Sequence, residues 1–188
     1  AALPELTDEE AVAQTKEALT LGDVSAVIGD IKLPVTGKKG TTITWTSSDE
    51  TVIKSDGTVV RSRQEDKMVT LTADISRGNV SDKKEFEVTV KQLTNEEILT
   101  DLREAVESVK IASAGLTMEE GEDTDIFTAW QTRMGRTDIE VTIKEQPADF
   151  TAIGADGSIT YGEEMQRGDI TFQFCRTGIQ DVTYEKTV

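Results

Sequence analysis

Residues 43–60, ITWTSSDETVIKSDGTVV, limit the folds open to this chain more than any other stretch. Ile43 and Trp45 alternate with Thr42, Thr44 and Thr46, the two-residue period of a strand with one face buried and one face wet. A corner at Ser47, Ser48 and Asp49 follows, then a short strand, an Asp56-Gly57 turn and a returning strand. Glycine suits a tight hairpin there because it tolerates positive φ. A looser copy occupies residues 139–159, IEVTIKEQPADFTAIGADGSI, with its own Asp156-Gly157 turn. A chain written this way builds small antiparallel β modules rather than βαβ units.

The duplication reaches further. Thr7-Asp8-Glu9-Glu10 and Thr94-Asn95-Glu96-Glu97 both have capping-box spacing, with the threonine as N-cap and the last glutamate reaching back to it. Behind the first, Val12, Lys16 and Leu19 share a helical face, along which the methylene stem of Lys16 can lie. Behind the second, Ile98, Leu102, Ala105, Val106 and Val109 form a fuller apolar stripe. The caps stand 87 positions apart (7 to 94) and the Asp-Gly turns 100 apart (56 to 156). The second copy therefore carries an insertion between helix and turn, where the acidic run of residues 119–125 sits.

Two more alternating strands close the first copy. Val69, Leu71, Ala73 and Ile75 alternate with Thr70, Thr72 and Asp74, and Phe86, Val88 and Val90 alternate with Glu85, Glu87 and Thr89. In the second copy Ile170, Phe172 and Phe174 stand for Val69, Leu71 and Ala73. Residues 184–188 mirror 86–90, which puts Lys186 in the inward place of Val88. Counting from either end assigns Glu145 or Val141 to the place of Trp45; Val141 keeps an apolar face with Ile139 and Ile143. Trp130 is expected to fill the space of the missing indole from a neighbouring strand. The pattern predicts a mainly β chain of two tandem antiparallel β-sandwiches, each preceded by a short α-helix. Lys91-Gln92-Leu93 marks the boundary, giving modules at 1–91 and 92–188. It holds no Pro, Gly or Ser run, so the second helix follows almost directly and bending is restricted.

Composition narrows the chemistry. The 188 residues include no histidine and one cysteine, Cys175. That removes histidine general bases, Ser-His-Asp and Cys-His arrangements, ordinary zinc sites and any internal disulfide. Cys175, within TFQFC, reads as a small packing residue. A formal charge of −16 repels phosphates and anionic membrane surfaces, so no nucleic acid partner is expected. No apolar run approaches the roughly 20 residues needed to span a bilayer, so membrane insertion is not expected either. The opening AALPELTDEE is not a signal peptide, so a targeting segment would lie outside this chain. No cofactor, metal site or catalytic residue is predicted.

Several stretches invite a functional reading. Leu33-Pro34-Val35-Thr36-Gly37 fits the LPxTG pentapeptide cut by sortases, but no hydrophobic segment and basic tail follow. A strand ending in a Pro-set turn is the reading adopted. The acidic run from Glu119 to Asp125 could collect calcium but lacks EF-hand spacing, and reads as a solvated loop. Gly162-Glu163-Glu164 reads as a turn between strands. Paired carboxylates could serve a glycosidase, but among 36 acids no pair stands out. Of Trp45, Trp130, Tyr161 and Tyr184, Trp45 is assigned to the core, while Trp130 is the candidate ligand contact for a glycan. Lys186 is the one inward lysine that an isopeptide bond could use, and a strand end accounts for it more simply.

The run LPVTGKKGTTITWTSSDETVIKSDGTVVR resembles the bacterial immunoglobulin-like modules, in particular the atrophied bacterial Ig domain. The residues that carry the likeness are Leu33-Pro34, Ile43, Trp45, Ser47-Ser48, Asp56-Gly57, residues 69–73 and residues 86–90. It spans residues 6–91; residues 92–188 lack the LP turn, the tryptophan and the serine pair, and join by internal repeat. The resemblance implies a pair of Ig-like modules, the second divergent, without catalytic residues. It also implies a secreted or cell-surface protein of Gram-positive bacteria, partnered by neighbouring domains of a longer parent. Carbohydrate-active enzymes are among the implied neighbours, and a cell-wall, plant or host glycan is the implied partner if the modules bind anything.

Overall fold

Alternation decides the strands. The computed structural model describes residues 5–111, 116–118, 123, 125–162 and 166–188. In it β1 (Thr42–Ser47), β2 (Lys67–Arg77) and β3 (Val80–Val90) form an antiparallel sheet in the order β1-β2-β3. β4 (Ile139–Glu145), β5 (Thr171–Arg176) and β6 (Ile179–Thr187) form a second, in the order β4-β5-β6. The chain divides into two compact units, Ala1–Leu93 and Thr94–Val188, so Gln92 and Leu93 go with the first.

In the first unit Trp45 lies opposite Ala73, Leu71 opposite Phe86 and Val69 opposite Val88. The inward side chains of all three strands are buried, from Ile43 and Trp45 through Val69, Leu71, Ala73 and Ile75 to Val88 and Val90. The layer facing them is not a second regular sheet. α1 (Asp8–Ala18) supplies Val12, the segment after it supplies Leu21, Val24, Val27, Ile31 and Leu33, and the turn beyond β1 supplies Val52 and Ile53. Residues 52–60, where two short strands are expected, pair by a single bridge between Ile53 and Val59. The Ile53 amide, which faces away from Val59, donates to Asp49 O at 3.0 Å and closes a turn on the entering side of the hairpin.

α1 forms where the capping box puts it. Thr7 Oγ1 accepts from the Glu10 amide and the Glu10 carboxylate accepts from the Thr7 amide. Its buried face is Ala11, Val12 and Thr15, whereas Lys16 turns outward to Asp82 at 2.8 Å. Thr15 can be buried because its hydroxyl donates to Thr41 Oγ1 and accepts from the Lys38 amide. Lys84 of β3 donates to the carbonyls of Lys16 and Leu19 at 2.8 and 2.7 Å. These are carbonyls that the end of a helix leaves unpaired.

In the second unit α2 (Asn95–Glu107) repeats the capping box and buries Ile98, Leu102, Ala105 and Val106, with Val109 just beyond. The insertion holds a helix, α3 (Ile126–Met134). Asp125 caps it by accepting from the Thr128 amide, and Gly135 at φ +67° ends it. Trp130 thus comes from a helix and not from a neighbouring strand. Val141 lies opposite Phe174 as Trp45 lies opposite Ala73, the placement expected from the repeat. On its other side Phe174 faces Tyr184, whereas Ala73 faces Lys84. The β5–β6 hairpin is shorter, and a register shift between Cys175 and Arg176 takes up the difference, so no single offset relates the two sheets.

Arg136 chelates Asp101 of α2 at 2.9 and 3.0 Å and Asp138 at 2.7 and 2.8 Å, with Arg176 alongside. Half-exposed pairs of this kind are each worth about 0–1 kcal/mol. Burying one Ile, Leu or Val side chain is worth about 1.5–3 kcal/mol. The apolar stripe holds α2 on its sheet, and the arginine sets where the helix sits along it.

Candidate functional site

The two Asp-Gly turns match bond for bond. Lys54 N donates to Thr58 O at 2.9 Å, and Gly154 N to Ser158 O at 2.9 Å. Gly57 N donates to Lys54 O and Gly157 N to Gly154 O, again both at 2.9 Å. Val60 N reaches Val52 O and Thr160 N reaches Ala152 O, each at 2.8 Å. Asp56 Oδ1 accepts from the Thr58 amide and Asp156 Oδ1 from the Ser158 amide. The backbone and the aspartates of these turns are occupied in folding.

The LPVTG stretch is also built in. Trp45 Nε1 donates to Pro34 O at 2.7 Å, Ile43 N to Val35 O at 2.9 Å and Gly37 N to Thr41 O at 2.8 Å. A Cβ placed on Gly37 would stand 2.2 Å from Thr15 Cγ2, so the peptide after Thr36 runs hard against α1. A sortase needs a free extended pentapeptide, and this one is tied down along its length.

Trp130, the candidate ligand contact, is fully buried. Its ring packs edge-on to Phe172 and Phe174, with centroids 5.6 and 5.0 Å away. In this geometry it offers no face to a sugar, because the large side chains of β5 need a flat partner above them. Trp45 is likewise core, tilted against Phe86 at 5.7 Å. The Tyr184 hydroxyl donates to Glu107, and that of Tyr161 to the Asp123 carbonyl. Lys186 holds the Glu107 carboxylate at 2.7 Å near the end of α2, which occupies the ammonium that an isopeptide bond would need.

Most of the acidic run and Glu163-Glu164 lie outside the described residues. Of the run, Asp123 pairs with Arg133 at 3.0 Å and Asp125 caps α3. Among the described residues no cluster of three or more cysteines and carboxylates is placed to hold a metal ion. Nor is any described helix long and apolar enough to cross a membrane. Thr94, Glu96, Glu97, Thr100, Asp101 and Glu104 line a shallow, open depression of about 370 Å³ on α2. Asp101, one of these residues, is held by Arg136.

A glycosidase acid must keep its proton near neutral pH, which takes a raised pKa. Every described carboxylate whose pKa departs from its ordinary value is lowered instead. The hydrogen bond from Arg136 lowers Asp138, and those from Lys186 and Tyr184 lower Glu107. Burial raises the Cys175 thiol, as for a packing cysteine. Missed from sequence were α3 and the Asp101–Arg136–Asp138 cluster.

With these motifs accounted for as turns and core, the comparison with known families can be read. Residues 12–93 match the family described as the atrophied bacterial Ig domain. The likeness read from Leu33-Pro34, Trp45 and Asp56-Gly57 therefore stands for this half. Within the matched residues Trp45 packs the sheet and ties down Pro34, and Asp56-Gly57 turns the chain against Ile31. No curated protein matches the chain.

Acid should lower the stability of residues 5–93 in a defined window. Asp23 and Asp49 are lowered chiefly by the hydroxyls of Ser25 and Thr51, and Asp56 by the Thr58 amide. Carboxylates with lowered folded-state pKa stabilise fully above their unfolded value of about 3.9, and that stability is lost as pH falls through the folded values. From neutral pH down to the pI near 4.4, shedding negative charge relieves self-repulsion and acts the other way. Thermal melts at fixed salt are expected to rise or stay level to about pH 5 and to fall below about pH 4. A midpoint that climbs between pH 4 and pH 2.5 would refute the role given to these turns.

Proposed function

We propose that the chain is a non-catalytic Ig-like spacer or scaffold from a larger secreted or cell-surface bacterial protein. In this reading residues 92–188 form a second, divergent Ig-like module in tandem with the first. The match of residues 12–93 to the atrophied bacterial Ig domain carries the reading, and Trp45 and the Asp56-Gly57 turn within that range are used up in core and turn. The bond-for-bond agreement of the two Asp-Gly turns supports the second module. The partners are then the neighbouring domains of the parent protein, a carbohydrate-active enzyme being the context to look for first.

A glycan- or host-protein-binding module is the rival. Glycan arrays and titrations with cell-wall, plant and host polysaccharides separate the two. The spacer reading expects no saturable binding and no release of reducing sugar by the purified chain. Saturable binding would establish the rival, and turnover of any polysaccharide would replace both readings with an enzyme.

A further inference from the structure

The residues joining the two units are not a free tether. Lys91 N donates to Val27 O at 2.8 Å, continuing the pairing of the β3 end. Arg61 Nε donates to Lys91 O at 2.9 Å and Arg61 Nη2 to Gln92 O at 2.6 Å. Asp66 accepts from the Lys91 ammonium and, at 2.8 Å, from the Gln92 amide. The Gln92 side chain donates to Arg63 O at 2.9 Å, and Leu93 N to Ser62 O at 2.7 Å. The next amide, Thr94 N, donates to Glu97 Oε2 at 2.9 Å within the capping box of α2.

We propose that Arg61 and Asp66 form a clasp that makes residues 91–93 a fixed extension of the first unit. Each amide from Lys91 to Leu93 is bonded within the first unit, and that of Thr94 within the second. The clasp is built from one guanidinium and one carboxylate, each spanning two consecutive residues of the joint. Its removal loosens Lys91 and Gln92 together, and with them the Leu93 bond to Ser62 O.

The test is backbone ¹⁵N relaxation and amide exchange on the whole chain, with limited trypsin digestion read by mass. In the unaltered protein the amides of Gln92 and Leu93 are expected to be as ordered as those of β3, and cleavage after Lys91 to be slow. Arg61→Ala and Asp66→Ala are each expected to lower protection at Gln92 and Leu93 by about tenfold or more and to speed cleavage after Lys91 to a similar degree. The amides of β1 and β2 in the same spectra report whether the variant remains folded. Asp66→Ala removes only half-exposed groups and keeps the test usable if Arg61→Ala does not fold. Tether-like order parameters at residues 91–93 in the unaltered protein would overturn the proposal. So would folded variants with unchanged protection there.

Discussion

Gly57→Ala is expected to cost the first unit about 3 kcal/mol or more, the sum of a left-handed backbone, a lost hydrogen bond and a backbone collision. Gly57 sits at φ +92°, and a Cβ there would stand 1.9 Å from the carbonyl oxygen of Ile31. That oxygen belongs to main chain, so no rotamer can move it aside. The 30–33 segment would have to lift from the turn, breaking the Ile31 N to Gly57 O bond of 2.9 Å and straining the Val59 N to Asp30 bond of 2.8 Å. For a unit of this size such a loss lowers the midpoint by on the order of 15 °C.

Two other glycines separate the contributions. Gly22 has φ +73° with nothing within 4 Å, so Gly22→Ala pays for the backbone conformation alone, about 1 kcal/mol. Gly157, at φ +87°, meets the Phe127 ring at 2.6 Å and the Asp125 carboxylate at 2.8 Å, side chains that can yield. Gly157→Ala is therefore expected to fall between the other two. Amide exchange assigns each loss to residues 5–93 or 94–188. If Gly57→Ala proves no worse than Gly22→Ala, the crossing of Ile31 over the turn is not what holds this layer together.

The strands were legible because alternation is a local signal that survives any tertiary context, and α2 because its cap and stripe agree. α1 was legible as a helix and in part as a face: Val12 and Leu19 are buried as expected, but Thr15 and not Lys16 lies between them. The partners of Thr15, Thr41 and the Lys38 amide, lie more than twenty positions away. α3 had a signal that the acidic run obscured: Asp125 as cap, Ile126, Ala129 and Trp130 at helical spacing, and Gly135 as stop. Of the opposing layer of the first unit only α1 was legible. Val52 and Ile53 look like strand residues, and only the Ile53 N to Asp49 O bond shows that their backbone is already closed into a turn. The same holds for Asp101 and Arg136, which are 35 positions apart and carry no mark of pairing.

Trp130→Ala is expected to cost the second unit about 3–5 kcal/mol, most of the margin of a small domain. The ring is fully buried and meets both Phe172 and Phe174 edge-on, so truncation removes its own contacts and undercuts two more aromatics. The expected result is loss of dispersed amide signals from residues 94–188 while those of residues 5–93 persist. Trp130→Phe should be far milder, because Trp130 Nε1 has no hydrogen-bond partner among the described residues to lose. Trp45→Phe is the contrasting case: Trp45 Nε1 holds Pro34 O at 2.7 Å, so the same substitution leaves a carbonyl unpaired. The indole nitrogen should therefore matter at Trp45 and not at Trp130, although both rings are core. A Trp130→Ala protein that melts within about 2 °C of the unaltered chain would contradict this packing, since the loss predicted exceeds that shift several-fold. It would also return the ring to the surface, where a glycan could reach it.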